Sequence, residues 1–164
     1  MKIITNLSHD SNYGIIRNSS NIKYIVIHSS LDDFGENVDF NYFNTKNLGI
    51  SFHRIIDEDI CNISVQDNYI AKSINTKNST KVLRNINNSN SISILLCSNS
   101  KTTYETAYKI IADIMYDYKI SPINIYRHYD INKELCPCEL VDPDDWREFK
   151  DNIKMVYKDK YGNF

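Results

Sequence analysis

Apolar residues fall along this chain in short runs separated by polar segments, and the runs change period. Ile22 to Ile27 is nearly unbroken apolar sequence and reads as a buried strand. Ile50 to Ile56 predicts a second strand. Asp57-Glu58-Asp59 reads as a turn, and Ile60 to Ser64 as the returning strand of a hairpin. Ser91 to Cys97 is the most continuous run and predicts a strand at the centre of a sheet. A shorter run, Ile120 to Tyr126, predicts a further buried strand.

Between and after these runs the period becomes helical. Ala107, Ile110, Ile111, Ile114, Met115 and Tyr118 share one face, and Thr102-Thr103-Tyr104-Glu105 ahead of them fits a capping box. Ser121-Pro122 breaks that helix. Asp142-Pro143 opens the last one, with Asp as N-cap and Pro at the first helical position. Trp146, Phe149, Ile153 and Val156 form its apolar stripe. Val38, Tyr42 and Phe43 allow a short amphipathic helix over Val38 to Lys46. Residues 1 to 21 read as an irregular lead-in or an edge strand, and the Asn/Ser/Thr/Lys-rich residues 73 to 90 as a surface loop. Strands alternating with helices, without repeat or linker, predict an α/β fold: a single domain over 1–164, with a central mixed β-sheet flanked by helices.

Composition narrows the partners. At 164 residues and 41% hydrophobic, the chain can build a substantial core. A net charge of -2 gives no general grip on nucleic acid or anionic membrane. No apolar run approaches the ~20 residues of a membrane span. Met1 to Asn6 leads into no secretory h-region, so synthesis in the cytoplasm is expected. A monomer is expected. Of the four cysteines, Cys61 and Cys97 sit in apolar runs and read as buried hydrophobes. Cys138 reads as a surface thiol.

The chemistry gathers near the end of the chain. His128 follows the 120–126 run, and Cys136 follows eight residues later in a loop closed by Pro137. His28 follows the run Tyr24-Ile25-Val26-Ile27 in the same way. Each alone would ordinarily be a core or strand-end residue. Together, at strand ends where loops gather around a site, two imidazoles and a thiolate suggest a zinc site with a position left open for water. Asp130 reads either as a partner orienting a ligand imidazole or as part of a turn. A cysteine hydrolase pairing Cys136 with His128 is the competing reading, although no third residue orienting the base is evident.

Four segments together resemble a known family. Tyr-Ile-Val-Ile-His-Ser-Ser around His28, Phe-His-Arg-Ile-Ile-Asp-Glu-Asp around His53, Ser-Ile-Ser-Ile-Leu-Leu-Cys, and Arg-His-Tyr-Asp followed after five residues by Cys-Pro are similar to the type 2 N-acetylmuramoyl-L-alanine amidases. That family includes phage and bacterial endolysins and the peptidoglycan-recognition proteins. The resemblance covers about residues 22–155, and the tail motif is its specific part. It implies zinc (Zn2+) held by His28, His128 and Cys136. It also implies hydrolysis of the lactyl-amide bond between muramic acid and L-alanine in bacterial peptidoglycan, after release to the wall by a holin or by lysis.

The family's helper positions differ here. A Lys that many members carry two residues before the ligand Cys is Glu134, with Lys133 shifted by one. A Tyr before the second-strand His is Phe52, a Glu in the central strand is Leu95, and a His after the hairpin is Ser73. Glu134 as general base, Lys133 as electrophilic group and His53 in a supporting role are the catalytic candidates. A catalytically impaired peptidoglycan-binding module of the same fold is the alternative that these changes raise.

Overall fold

A computed structural model describes residues 1–30, 40–74, 83 and 85–163. Within these residues six strands form one sheet: β1 (Lys2–Thr5), β2 (Tyr24–Ser29), β3 (Arg54–Asp57), β4 (Ile60–Ile63), β5 (Ser91–Leu96) and β6 (Ile125–Arg127), in the order β1-β4-β3-β5-β2-β6. All pairings are parallel except the β3–β4 hairpin, so the sheet is mixed. Among the described residues three α-helices accompany it: α1 (Lys101–Tyr118), α2 (His128–Asn132) and α3 (Pro143–Tyr161).

β5 and β2 are neighbouring interior strands joined in parallel, and with both faces of the sheet covered there every position can be apolar. Ile25 and Ile27, with Ile92, Ile94 and Leu96, pack under α1 and α3 against Ile111, Met115, Phe149 and Ile153. The opposite face carries Val26 with Ile74, Ile86 and Ile131, and beside them Phe43, Phe52, Ile55 and Leu95. His28 lies two residues beyond Val26, so the pleat turns it to this second face, next to its register partner Leu95.

Helix ends follow the local chemistry. α1 starts earlier than the Thr102 capping box predicts: Ser100 is the N-cap, its hydroxyl accepting from the Thr103 amide at 3.1 Å. Lys119, left-handed at φ 54°, ends that helix. Asp142 caps α3 as expected, accepting from Asp144 N–H at 2.7 Å with Pro143 behind it. Asp144 and Asp145 lie in its first turn and Lys158 and Lys160 in its last, in the sense the helix dipole favours.

Other boundaries also move. Residues 50–53 are not strand, and β3 is only Arg54–Asp57, so His53 precedes the strand instead of lying on it. The 120–126 run divides into a 3-10 turn at Pro122–Asn124 and the short β6. Of the helix expected over Val38 to Lys46, the described part holds a 3-10 turn, Tyr42–Asn44; Val38 and Asp39 lie outside the described residues. The 73–90 loop is described in part, and Ser73, Ile74 and Ile86 within it are buried. The lead-in contributes β1 at the sheet edge.

The lead-in also contributes Arg17, which enters the core. Its guanidinium donates to the carbonyls of Asp67 (2.9 Å), Asn88 (3.1 Å) and Ser91 (2.7 Å) and lies 2.8 Å from His53 Nε2. Ser93 N–H donates to His53 Nδ1 at 3.0 Å, so Nδ1 holds a lone pair and Nε2 carries the proton toward Tyr69 O, 3.1 Å away. Burial, then the Arg17 charge, push the His53 pKa down to about 3. Burial alone would raise the Asp67 carboxyl, but the Arg54 ion pair at 2.8 Å holds it below its usual range.

Two stability measurements check this account. Phe149 and Ile114 are almost wholly buried, and replacing either with Ala is expected to cost about 2–5 kcal/mol in urea unfolding. His53 sets a pH dependence. Below its ordinary 6.5 the unfolded chain takes up a proton that the folded chain refuses until about 3. Stability contributed by the neutral ring is therefore whole above 6.5 and lost progressively as pH falls toward 3. Melts from about pH 7.5 to about pH 4 should show this loss, with a flatter acid limb in His53→Gln; an unchanged slope would place the acid sensitivity elsewhere.

Candidate functional site

Three side chains from distant parts of the sequence meet where β2 and β6 end. His28 is the fifth residue of β2, inside the strand and not after it. His128 opens α2 directly from β6, and Cys136 lies in the segment after α2. All three are buried, and one ligand atom from each lies within 4.8 Å of the others. The two imidazole centroids are 4.6 Å apart, and His28 Nδ1 is 3.9 Å from Cys136 Sγ.

The tail is shaped by Arg127. Its side chain bonds Asp130 at 2.7 Å and donates to the carbonyls of Leu140 and Val141, each at 2.8 Å. Asp130 returns a bond to the Arg127 amide at 2.9 Å, which caps α2. Asp130 is thus a turn-forming residue that accepts from the Arg127 backbone and side chain. Lys133, left-handed at φ 65°, ends α2, and Tyr129 N–H donates to Cys136 O at 2.7 Å, folding the loop back onto the helix. Ser29 N–H points at Cys136 Sγ from 3.5 Å, a donor that favours a thiolate.

The electrostatics suit a metal. Burial, then the neighbouring His128, lower the proton affinity of His28 well below the usual range, so its ring is neutral and its lone pair free to bind. His28 Nε2 is buried with no hydrogen-bond partner among the described residues. Two imidazoles, that of His28 neutral, and a sulfur form a donor set suited to zinc. These residues fit the ion that the fold family implies.

The surroundings are asymmetric. The sheet side is apolar: Phe52 meets the His28 ring edge-on at 5.1 Å, and Leu95 is fully buried beside it. The loop side is polar. Glu134 Oε2 is 3.5 Å from His128 Nδ1, and its side chain is 49% exposed. Lys133 Nζ lies 4.6 Å above the Tyr129 ring. His53 belongs to the Arg17 network described above, and Ser73 bonds Ser93. Cys138 is exposed and Cys61 buried; burial raises the Cys61 thiol to about 11 and the half-buried Cys97 thiol to about 12.

Sequence reasoning passed over Asn132. Its side-chain nitrogen is 3.0 Å from His128 Nε2, and its oxygen accepts Glu134 N–H at 3.1 Å. The signal was the i, i+4 spacing from His128, meaningful only once 128–132 is known to be helical.

The comparisons agree with this geometry. A sequence model of the family described as N-acetylmuramoyl-L-alanine amidase matches residues 18–139. No curated protein sequence matches the chain. Among solved structures, PlyL superposes with a TM-score of 0.76 at 21% identity over the whole of both chains. The catalytic domain of XlyA gives 0.75 at 20% identity, covering 93% of this chain and 99% of that one. The Staphylococcus aureus hydrolase AmiA, solved in complex with its ligand, gives 0.72 at 15% identity, covering 99% and 86%. At these identities the structural likeness is one of fold. The family match spans well over half of the sequence and takes in both histidines and the cysteine, so this chain belongs to the N-acetylmuramoyl-L-alanine amidase family.

Proposed function

We propose that the chain is a zinc-dependent amidase that hydrolyses the lactyl-amide bond between N-acetylmuramic acid and L-alanine in bacterial peptidoglycan, acting on the wall after release. The observation that carries this reading is the buried His28–His128–Cys136 cluster in a chain of this family. His28, His128 and Cys136 would hold the ion, and Ser29 N–H steadies the sulfur as thiolate. Zinc bound there supplies a Lewis acid that polarises the amide carbonyl and lowers the pKa of a water toward about 7.

The chain's own groups divide the remaining work by position. Phe52 and Leu95 keep water from the sheet side of His28. Glu134, at the mouth beside His128, is placed to accept a proton from the attacking water and return it to the leaving amine. Lys133 rests over Tyr129 and reaches a developing oxyanion only by leaving that ring. His53, hydrogen-bonded at both nitrogens within the core, supports β3 and β5 and does not move protons at the site.

Measurements on purified wall and on variants test the reading. Incubating purified wall with the protein is expected to release new L-alanine amino ends. A strong chelator should abolish the release and added zinc restore it; a cysteine hydrolase would survive chelation. His28→Ala and Cys136→Ala should lose both zinc and turnover. Glu134→Gln is expected to keep zinc and lose about 10²–10⁴-fold in turnover, with Lys133→Met the milder defect. A wild-type protein that binds wall and zinc but releases no amino ends would instead establish a peptidoglycan-binding module, with Phe52 and Leu95 as its reason.

A further inference from the structure

α1 and α3 pack side by side over the sheet face opposite the one that carries His28. Their seam leaves a trough of about 580 Å³. Two half-buried tyrosines one helical turn apart, Tyr104 and Tyr108, form its floor. Both rings meet Phe149 edge to face, at 5.4 and 5.1 Å, so the core beneath sets their positions. Met155, 57% exposed, and Val156 make an apolar wall. Asn99 and Asn152 bring side-chain amides to the rim, and Asn152 is hydrogen-bonded to the Tyr108 hydroxyl. Lys101 and Lys109 are balanced there by Glu105 and Glu148. A second hollow of about 290 Å³ shares both tyrosines and Asn99 and extends the trough to Glu139 and Leu140. Those residues closely follow Cys136, so one end of the trough lies on the tail that carries the cysteine.

The lining narrows the class of ligand. With balanced charge along the seam, and Glu139 and Asp145 at the tail end, it offers nothing to a polyanion. An amphipathic helix needs a row of apolar contacts at i, i+3 or i+4, and i+7. The apolar wall here is two adjacent side chains. Neutral sugar rings fit better: their C–H faces lie on aromatic rings, and their hydroxyls bond amides and carboxylates. An N-acetyl substituent adds a methyl group for the Met155 wall and an amide for Asn99 or Asn152. From Lys101 to Lys109 α1 advances about 12 Å, room for more than one pyranose ring.

We propose that the α1–α3 trough is a second glycan site, which binds N-acetylhexosamine rings of a peptidoglycan strand away from the His28 cluster and holds the wall against the domain. The binding stands on the trough alone; its effect on turnover rests on the amidase reading above. A polymer held at a second site stays near after each cleavage, which raises the effective concentration of its remaining bonds at the cluster. That gain is confined to polymeric substrate.

The probe is tetra-N-acetylchitotetraose, a glycan with neither peptide nor lactyl amide. Titrated into the nitrogen-15-labelled full-length chain, it is expected to shift the backbone amides of Tyr104, Tyr108 and Asn152. Cellotetraose, which lacks the N-acetyl groups, should leave them in place. Tyr108→Leu keeps an apolar contact for Phe149 and removes the ring face and hydroxyl. Met155→Asp alters an exposed side chain. Melting curves confirm that each variant is folded. Both are expected to lose the chitotetraose shifts. On intact wall their KM should rise about 10–100-fold with kcat unchanged, and turnover of a soluble muramoyl-peptide should match wild type. Shifts confined to the surroundings of His28, equal shifts with cellotetraose, or no shifts at millimolar sugar overturn the proposal. So do variants with wild-type KM on intact wall. A dimer in sedimentation that Met155→Asp dissolves would give the seam to a second copy and overturn it as well. If the wild type releases no amino ends from wall, the amidase reading fails, and the chitotetraose titration still decides the trough.

Discussion

The site depends on the burial of β2 on both of its faces. An interior strand flanked by parallel neighbours and covered on both faces has no solvated side, so any ionisable group on it must give up water. His28 occupies such a position, and burial with a second imidazole nearby disfavours its charged form. In most proteins a histidine so placed would be hydrogen-bonded into the core. Here one ring nitrogen faces Cys136 and the other has no hydrogen bond among the described residues. The sheet that disfavours protonation also keeps the lone pairs in the form a metal binds. Loss of water at this strand and a donor set open to an ion are one constraint seen from two sides.

A second constraint brings the other two members of the cluster to the first. α2 is five residues long, far too short to persist by its own hydrogen bonds. Arg127 supplies what the helix lacks. Its charge is matched by Asp130, and its remaining donors satisfy the carbonyls of Leu140 and Val141. Those carbonyls lie beyond Cys136, so one guanidinium ties the start of the tail to its end and closes the loop that carries the cysteine. The ring of Trp146, 5.3 Å away, packs against the same group and links this clamp to the α3 side of the core. A buried ion pair is a weak source of stability when its atoms are left unsatisfied. This one is well satisfied, and what it contributes is a fixed path for the backbone.

Legibility in the sequence followed how strongly burial, as opposed to local hydrogen bonding, decides a segment. Ser91 to Leu96 and the face of α1 were readable because apolar runs and periods record burial directly. The boundaries were not. Ser100 and Thr102 are both good caps, and the choice between them rests on which hydroxyl meets the Thr103 amide. His53 looked like a strand residue because its neighbours are apolar, yet the chain around it is occupied with Arg17, Tyr69 and Ser93. Arg17 lies in a polar stretch with no period, and its partners are as much as 74 residues distant, so nothing local marks it as a core residue. His28, His128 and Cys136 were legible as a set because their residue types and the tail spacing coincide. Asn132 was not, since its meaning depends on a helix that no apolar period announces.

The two sides of the cluster differ in what they can do, and the difference follows from where each comes from. The sheet side is built from β-strand and adjoining residues that pack into one apolar cluster: Phe43, Phe52, Ile55 and Leu95. A carboxylate there would need its own partner in the core. The tail side is half-exposed, and Glu134 stands there in water's reach at little desolvation cost. In the proposed reaction, Phe52 and Leu95 leave the sheet side to exclude water, and the movement of protons falls to the segment after α2. A group that must take up and release a proton each turnover works better where the solvent can exchange with it. In this chain that place is the loop bearing Glu134 and Cys136, held to His128 through Asn132 on one side and to Arg127 on the other.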